Sequence, residues 1–209
     1  GVRDMETDNN RPIAFAVPDE TTNIVQVGIE HADMYFEAET EGGITRCLAV
    51  FSDLQGVGVV GPIRSARTYF NNLAVSYDAP LVHCGGGSKA KKGCYGIGTD
   101  TISNWKHIDQ MYNGSYFYRD AERRAQGYAY EHTLFTTGKK LMEVLEKKDY
   151  NTPNEKATDF GLLFADQVEL QGETANTITV KFLGRKTTTM PYDAATGVYK
   201  ASQYDKEWV

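Results

Sequence analysis

Val57-Gly58-Val59-Val60-Gly61-Pro62-Ile63-Arg64-Ser65-Ala66-Arg67-Thr68-Tyr69-Phe70 is the stretch on which the reading of the fold turns. A short apolar strand breaks at Gly61-Pro62, and Pro62 fits the first position of a helix, where a missing N–H costs nothing. The spacing then predicts a helix that carries Arg64, Arg67 and Asn71 on one face. Ala66, Phe70, Leu73, Ala74 and Tyr77 form the opposite, apolar stripe. Free N–H groups and the dipole at a helix N-terminus favour an anion, and arginine supplies forked donors for carboxylate or phosphate. The alternative is that both arginines pair with acidic residues of the chain itself.

The charge distribution gives that alternative its partners. The net charge of −6 over 209 residues is unevenly spread. Residues 1–60 carry 3 basic and 11 acidic side chains, residues 61–124 carry 9 and 5, and residues 125–209 carry 10 and 12. An acidic first part and a basic middle most simply pack together, and nucleic-acid binding would require denser Lys and Arg. No apolar run approaches the roughly 20 residues that cross a membrane, and 41% hydrophobic content is enough for a globular core. The polar start Gly1-Val2-Arg3-Asp4 has no signal-peptide character, and residues 1–10 read as a disordered segment.

The expected fold is α+β. A mixed α/β main domain over residues 11–150 contains a mixed sheet and at least one parallel strand–helix–strand crossover. Residues 12–17 read as a buried strand stopped at Pro18-Asp19. Residues 33–39 and 44–51 read as strands joined through Gly42-Gly43 in a hairpin. The alternation of Tyr35, Glu37 and Glu39 with Met34, Phe36 and Ala38 makes one face acidic, and that face is expected to meet the arginines. Residues 79–84 read as a strand parallel to 58–60 across the arginine helix, with His83 at its C-terminal end, where α/β sheets favour ligands.

Further on, Gly85-Gly86-Gly87-Ser88 and Lys89-Ala90-Lys91-Lys92-Gly93 lack the spacing of a phosphate-binding loop and read as a flexible loop into a short helix. Residues 99–130 are rich in aromatics and charges, including Trp105, Tyr112, Tyr118, Arg119 and Tyr130, and read as an irregular segment. Such a composition suits sugar stacking or a roof over the core. Thr137 caps an amphipathic helix over 138–148 with Leu141, Val144 and Leu145 inward. Residues 151–173 read as a linker, and 174–209 as a small antiparallel β meander belonging to an incomplete second domain. Cys47, Cys84 and Cys94 have no metal-ligand spacing; Cys84 and Cys94 can bridge around the Gly-rich loop or remain free thiols. Asp100, Asp109, His83 and His107 show no ligand pattern either, so no metal or cofactor is expected.

Several of these motifs together resemble a bacterial domain-of-unknown-function family, the YerB-like lipoproteins. The likeness rests on Arg11-Pro12-Ile13-Ala14, Ala32-Asp33-Met34-Tyr35-Phe36-Glu37 and Glu41-Gly42-Gly43-Ile44-Thr45-Arg46. It also rests on residues 60–67, on Tyr77-Asp78-Ala79 followed by His83, on Phe117, Arg119 and Arg124-Ala125, and on His132-Thr133-Leu134-Phe135-Thr136. Two runs depart from the family pattern: Phe15-Ala16-Val17-Pro18-Asp19 replaces the usual M-I-D-N, and Glu131-His132-Thr133 replaces P-H-N. The resemblance implies an extracytoplasmic protein held by a lipid on an N-terminal cysteine outside this sequence, and a C-terminal domain that continues past Val209. It implies no activity.

Two functions follow as expectations. In the first, Arg46, Arg64, Arg67 and Arg119 bind an anionic or sugar-containing cell-wall component or an envelope protein, with no nucleic acid involved. In the second, Glu41 with His83 or His132 hydrolyses a wall glycan or a phosphodiester, the arginines stabilising developing charge.

Overall fold

The computed structural model describes residues 11–20, 26–87, 98–153, 172–182, 186–204 and 206–208. Segment 1–10, most of the Gly-rich loop from Ser88, Cys94 and most of the 151–173 linker therefore lie outside the described residues. The chain divides into two compact units, Gly1–Ala157 and Thr158–Val209.

In the first unit the strands are β1 (Ile13–Asp19), β2 (Met34–Glu39), β3 (Thr45–Phe51) and β4 (Val59–Val60), followed by helix α1 (Thr68–Ser76). Next come β5 (Leu81–His83), α2 (Gly98–Ile102), β6 (His107–Asp109), β7 (Tyr118–Arg119), α3 (Ala121–Ala125), β8 (Leu134–Thr137) and α4 (Gly138–Lys147). A mixed sheet runs in the order β2-β3-β1-β5-β6, and a smaller one in the order β4-β8-β7. All seven residues of β1 and of β3 are buried, as expected for apolar strands covered on both faces. β1 is antiparallel to β3 and parallel to β5, and β5 is parallel to β6 with α2 between them in sequence. That last unit is the parallel crossover of the α+β fold.

Alternation along the strands sorts the core. One sheet face presents Ala14, Leu48, Val50 and Leu81, and Phe70 and Ala74 of α1 and Ile102 of α2 pack onto it. Phe15 and Phe51 lie on the opposite face, their rings in an edge-on contact with centroids 4.9 Å apart. The 34–51 hairpin forms in the register Met34↔Val50 to Glu39↔Thr45. α4 begins at its Thr137 cap, whose hydroxyl accepts from the Lys140 N–H, and it buries Leu141, Val144 and Leu145. Each such burial contributes about 1.5–3 kcal/mol.

The central stretch departs from the sequence expectation. The helix starts at Thr68 with Arg67 as N-cap, so Pro62 is not its first residue and Arg64 lies outside it. Residues 62–67 run extended because their backbone pairs with distant segments: Ile63 N–H with Leu134, Arg64 N–H with Ala16, and Ala66 N–H with Gly85. The Gly61-Pro62 peptide is cis. β4 is not parallel to β5; it pairs antiparallel with β8 in the smaller sheet, so the parallel partners of β5 are β1 and β6. β1 also runs past Pro18 to Asp19. Residues 99–130 are not one loop but a series of short elements, and Trp105 packs against the core.

The second unit is an antiparallel sheet of β9 (Thr177–Phe182), β10 (Lys186–Asp193), β11 (Val198–Tyr199), β12 (Ser202–Gln203) and β13 (Lys206–Glu207). Its β-branched, threonine-rich strands fit the expected meander.

Gly61 is one tight point of the first unit, with φ +150° and a position where a Cβ would come 2.9 Å from the Leu134 carbonyl oxygen and 2.8 Å from the Phe135 ring. Gly61→Ala is expected to lower unfolding stability by on the order of 2 kcal/mol or more in urea titration. Phe70→Ala should cost about 3–5 kcal/mol in the same experiment, through the cavity it leaves under α1.

Candidate functional site

Antiparallel pairing of β1 and β3 sets Pro18 opposite Arg46 and Asp19 opposite Thr45, so the exit of β1 lies at the entry of β3. Glu20, the next residue, places its carboxylate among basic groups. Arg64 Nη2 donates to Glu20 Oε1 at 2.9 Å, Arg46 Nε lies 3.6 Å from the same oxygen, and His132 Nε2 lies 3.9 Å from Oε2. A second carboxylate stands close by. Arg67 holds Glu41 with a two-pronged contact, Nε to Oε1 at 2.6 Å and Nη2 to Oε2 at 2.9 Å. Strand order, the extended 62–67 segment and the start of α1 together bring Arg46, Arg64 and Arg67 into one buried cluster.

The electrostatics follow from this crowding. Burial, then the nearness of Arg64 and Arg67, pushes the Arg46 guanidinium down to about 10, with Glu20 and Glu41 opposing. Burial works to raise the Glu41 carboxyl, but the Arg67 hydrogen bonds and the charges of Arg67 and Arg46 outweigh it and hold it below its ordinary value. Burial and Arg64 lower the His132 imidazole against the pull of Glu20 and Glu131. Arg46 Nε and Nη1, Arg64 Nε and His132 Nδ1 are shielded from water and have no hydrogen-bond partner among the described residues. Such orphaned donors call for a physical reason.

On the flank, Arg119 of β7 donates from Nη1 to the Tyr130 carbonyl at 2.6 Å and stacks 3.8 Å over the exposed Tyr130 ring. A backbone hydrogen bond holds the Glu131 carboxyl below its ordinary value, burial opposes it, and the charges of Arg64, His132 and Arg119 add to the lowering. Tyr69, partly exposed at the first turn of α1, feels Glu41, Arg67 and Arg46. Within the cluster, Glu41 keeps 27% of its side-chain surface exposed.

His83 is engaged elsewhere. Its Nε2 lies 2.9 Å from His107 Nδ1, and its Nδ1 lies 2.8 Å from the Gly85 carbonyl oxygen. Burial lowers both imidazoles, with Asp109 opposing. Cys47 donates its thiol to Asp19 Oδ2 at 3.6 Å, and Cys84 is a free thiol that burial raises against the opposing charge of Arg119. The bridge considered from Cys84 to Cys94 ends outside the described residues.

A family model described as "Protein of unknown function (DUF3048) N-terminal domain" matches residues 1–151. The chain belongs to the DUF3048 family. It is 32% identical over 152 residues to "Putative lipoprotein YerB" of Bacillus subtilis (strain 168), across 73% of this chain and 43% of the relative. Its fold matches the crystal structure of YerB protein from Bacillus subtilis with a TM-score of 0.75 and 26% identity, covering the whole of this chain and 66% of the other. This DUF3048 chain therefore spans less than half the length of the curated relative.

Of the residues singled out in the sequence, Glu41, Arg46, Arg64, Arg67 and His132 come together, Arg119 joins at the rim, and His83 does not. Glu20, Glu131 and Tyr69 were not singled out. The signal for Glu20 was its place just past a strand whose antiparallel neighbour opens with Thr45-Arg46.

Because Glu41 is held low in the fold, its ion pair contributes stability above the unfolded carboxylate pKa that is lost as pH falls through the folded one. Glu41→Gln should therefore cost about 1–2 kcal/mol at pH 7, and the gap to wild type should close on acidification below pH 4. Urea titrations across pH 3–7 read both quantities.

Proposed function

We propose that this chain is a binding module of the cell envelope that holds an anionic group of a wall component through Arg46, Arg64 and Arg67, with Arg119 at the rim. One observation carries the reading: Arg46 Nε and Nη1 and Arg64 Nε are buried donors without a hydrogen-bond partner among the described residues. They sit in a cluster that already contains two carboxylates. An ion cluster retained only for stability would be expected to satisfy its donors, because an unmet buried donor costs about 1–3 kcal/mol. Oxyanions accept charge-assisted hydrogen bonds from guanidinium N–H groups such as these. The name of the relative, a lipoprotein, supports an extracytoplasmic, membrane-anchored location for the protein to which this chain belongs.

The same geometry disfavours hydrolysis at Glu41. A carboxylate gripped by Arg67 stays ionised at neutral pH and has no proton to deliver. His83 has both ring nitrogens occupied by His107 and Gly85. No turnover is therefore expected on a panel of wall glycans and phosphodiesters.

Isothermal titration with wall fragments bearing carboxylate or phosphodiester groups tests the reading. Saturable binding is expected to weaken by on the order of tenfold or more in Arg64→Ala and Arg67→Ala. Arg64→Lys, which keeps the charge and loses the fork, should fall between them and wild type. Undiminished binding in both alanine variants, with folding confirmed by circular dichroism, would overturn the proposal.

A further inference from the structure

The number of charges in the cluster limits what can enter it, and this argument rests on the anion-binding reading above. Arg46, Arg64, Arg67 and Arg119 supply four positive charges, and Glu20, Glu41 and Glu131 supply three negative ones. The neighbouring Arg123 and Asp120 pair with each other at 3.7 Å and cancel. With a neutral His132, these seven charges leave one net positive charge; Arg124, 5.5 Å over the same Tyr130 ring as Arg119, is exposed and screened by solvent. Arg46, Arg64 and Glu20 keep only 6%, 11% and 12% of their side-chain surface exposed. In such surroundings an unbalanced charge is costly, whichever its sign.

We infer that the ligand group is a singly charged oxyanion, a carboxylate or a phosphodiester, and that a doubly charged one enters only with a proton taken up at His132. A monoanion neutralises the cluster. A dianion leaves a negative excess, and His132 is the one group there able to cancel it near neutral pH, since the guanidinium groups already hold their protons and Glu41 is held ionised. The groups that face His132 are Glu20 at the exit of β1, Arg46 of β3, Arg64 of the extended segment and Glu131 of its own turn. Its unpartnered, shielded Nδ1 leaves a ring nitrogen available for that proton.

Three small probes separate the possibilities by chemical-shift titration and calorimetry on the intact chain between pH 6 and 8. They are acetate, dimethyl phosphate and sulfate. The association constant of the preferred monoanion is expected to stay within a factor of about two across this range. That of sulfate should fall with rising pH by up to about tenfold per unit, with proton uptake seen in buffers of different ionisation enthalpy. His132→Gln should remove the pH dependence of sulfate and leave its high-pH affinity. If that variant folds poorly, the wild-type proton count decides alone. Whichever of acetate and dimethyl phosphate binds more tightly names the source of the group.

Sulfate binding equal to that of both monoanions at pH 8, without proton uptake but lost in Arg64→Ala, would overturn this inference and leave the anion site standing. Failure of all three probes to bind, or binding unchanged in Arg64→Ala, would overturn both.

Discussion

Glu20 stands where the central strand of the sheet ends, and its carboxylate answers three basic side chains from three different parts of the chain. Arg46 arrives by antiparallel pairing, Arg64 by the extended segment whose N–H bonds to Ala16 of the central strand, and His132 by the turn that leads into β8. Removing an ion from water costs several kcal/mol, so three guanidinium groups can share this space only because Glu20 and Glu41 are there. The sheet and the site are therefore built from the same pairings. A shift of β3 by one residue would turn the Arg46 side chain to the opposite face, away from Glu20.

Much of the fold was legible because much of it is local. The 34–51 hairpin announces itself through two alternating runs around Gly42-Gly43, and α4 through a threonine cap followed by leucines and a valine at helical spacing. The first turn of the arginine segment misled for a definite reason. Proline followed by arginines three apart has helical spacing, yet Ile63, Arg64 and Ala66 find backbone partners in Leu134, Ala16 and Gly85, about 20 to 70 residues away. Local periodicity carries no trace of such pairings. The parallel partner of β5 was misread for the same reason: its neighbour β1 lies more than sixty residues earlier.

The site divides along the same line. Arg46, Arg64, Arg67 and Glu41 were visible as unusual charges at strand ends and turns, and the acidic first part of the chain does supply their counter-ions. Arg64 and Arg67 reach Glu20 and Glu41, one residue beyond a strand end and in a turn. His83 looked like a site residue because it ends a strand in a parallel arrangement. Its neighbour in the register is Leu81↔His107 to His83↔Asp109, which sets two imidazoles side by side and satisfies them there.

The choice of arginine over lysine in the cluster follows from burial. Crowding and desolvation bring Arg46 down to about 10, which still leaves it fully charged at neutral pH. A lysine begins about two units lower, so the same burial and neighbouring arginines would bring it closer to losing its charge at neutral pH. A lysine also brings a single point charge in place of the fork that grips Glu41 through two nitrogens. With guanidinium groups the positive charge is permanent and its donors are fixed in direction. A site made this way is suited to recognising an anion by number of charges and by shape, and poorly suited to passing protons.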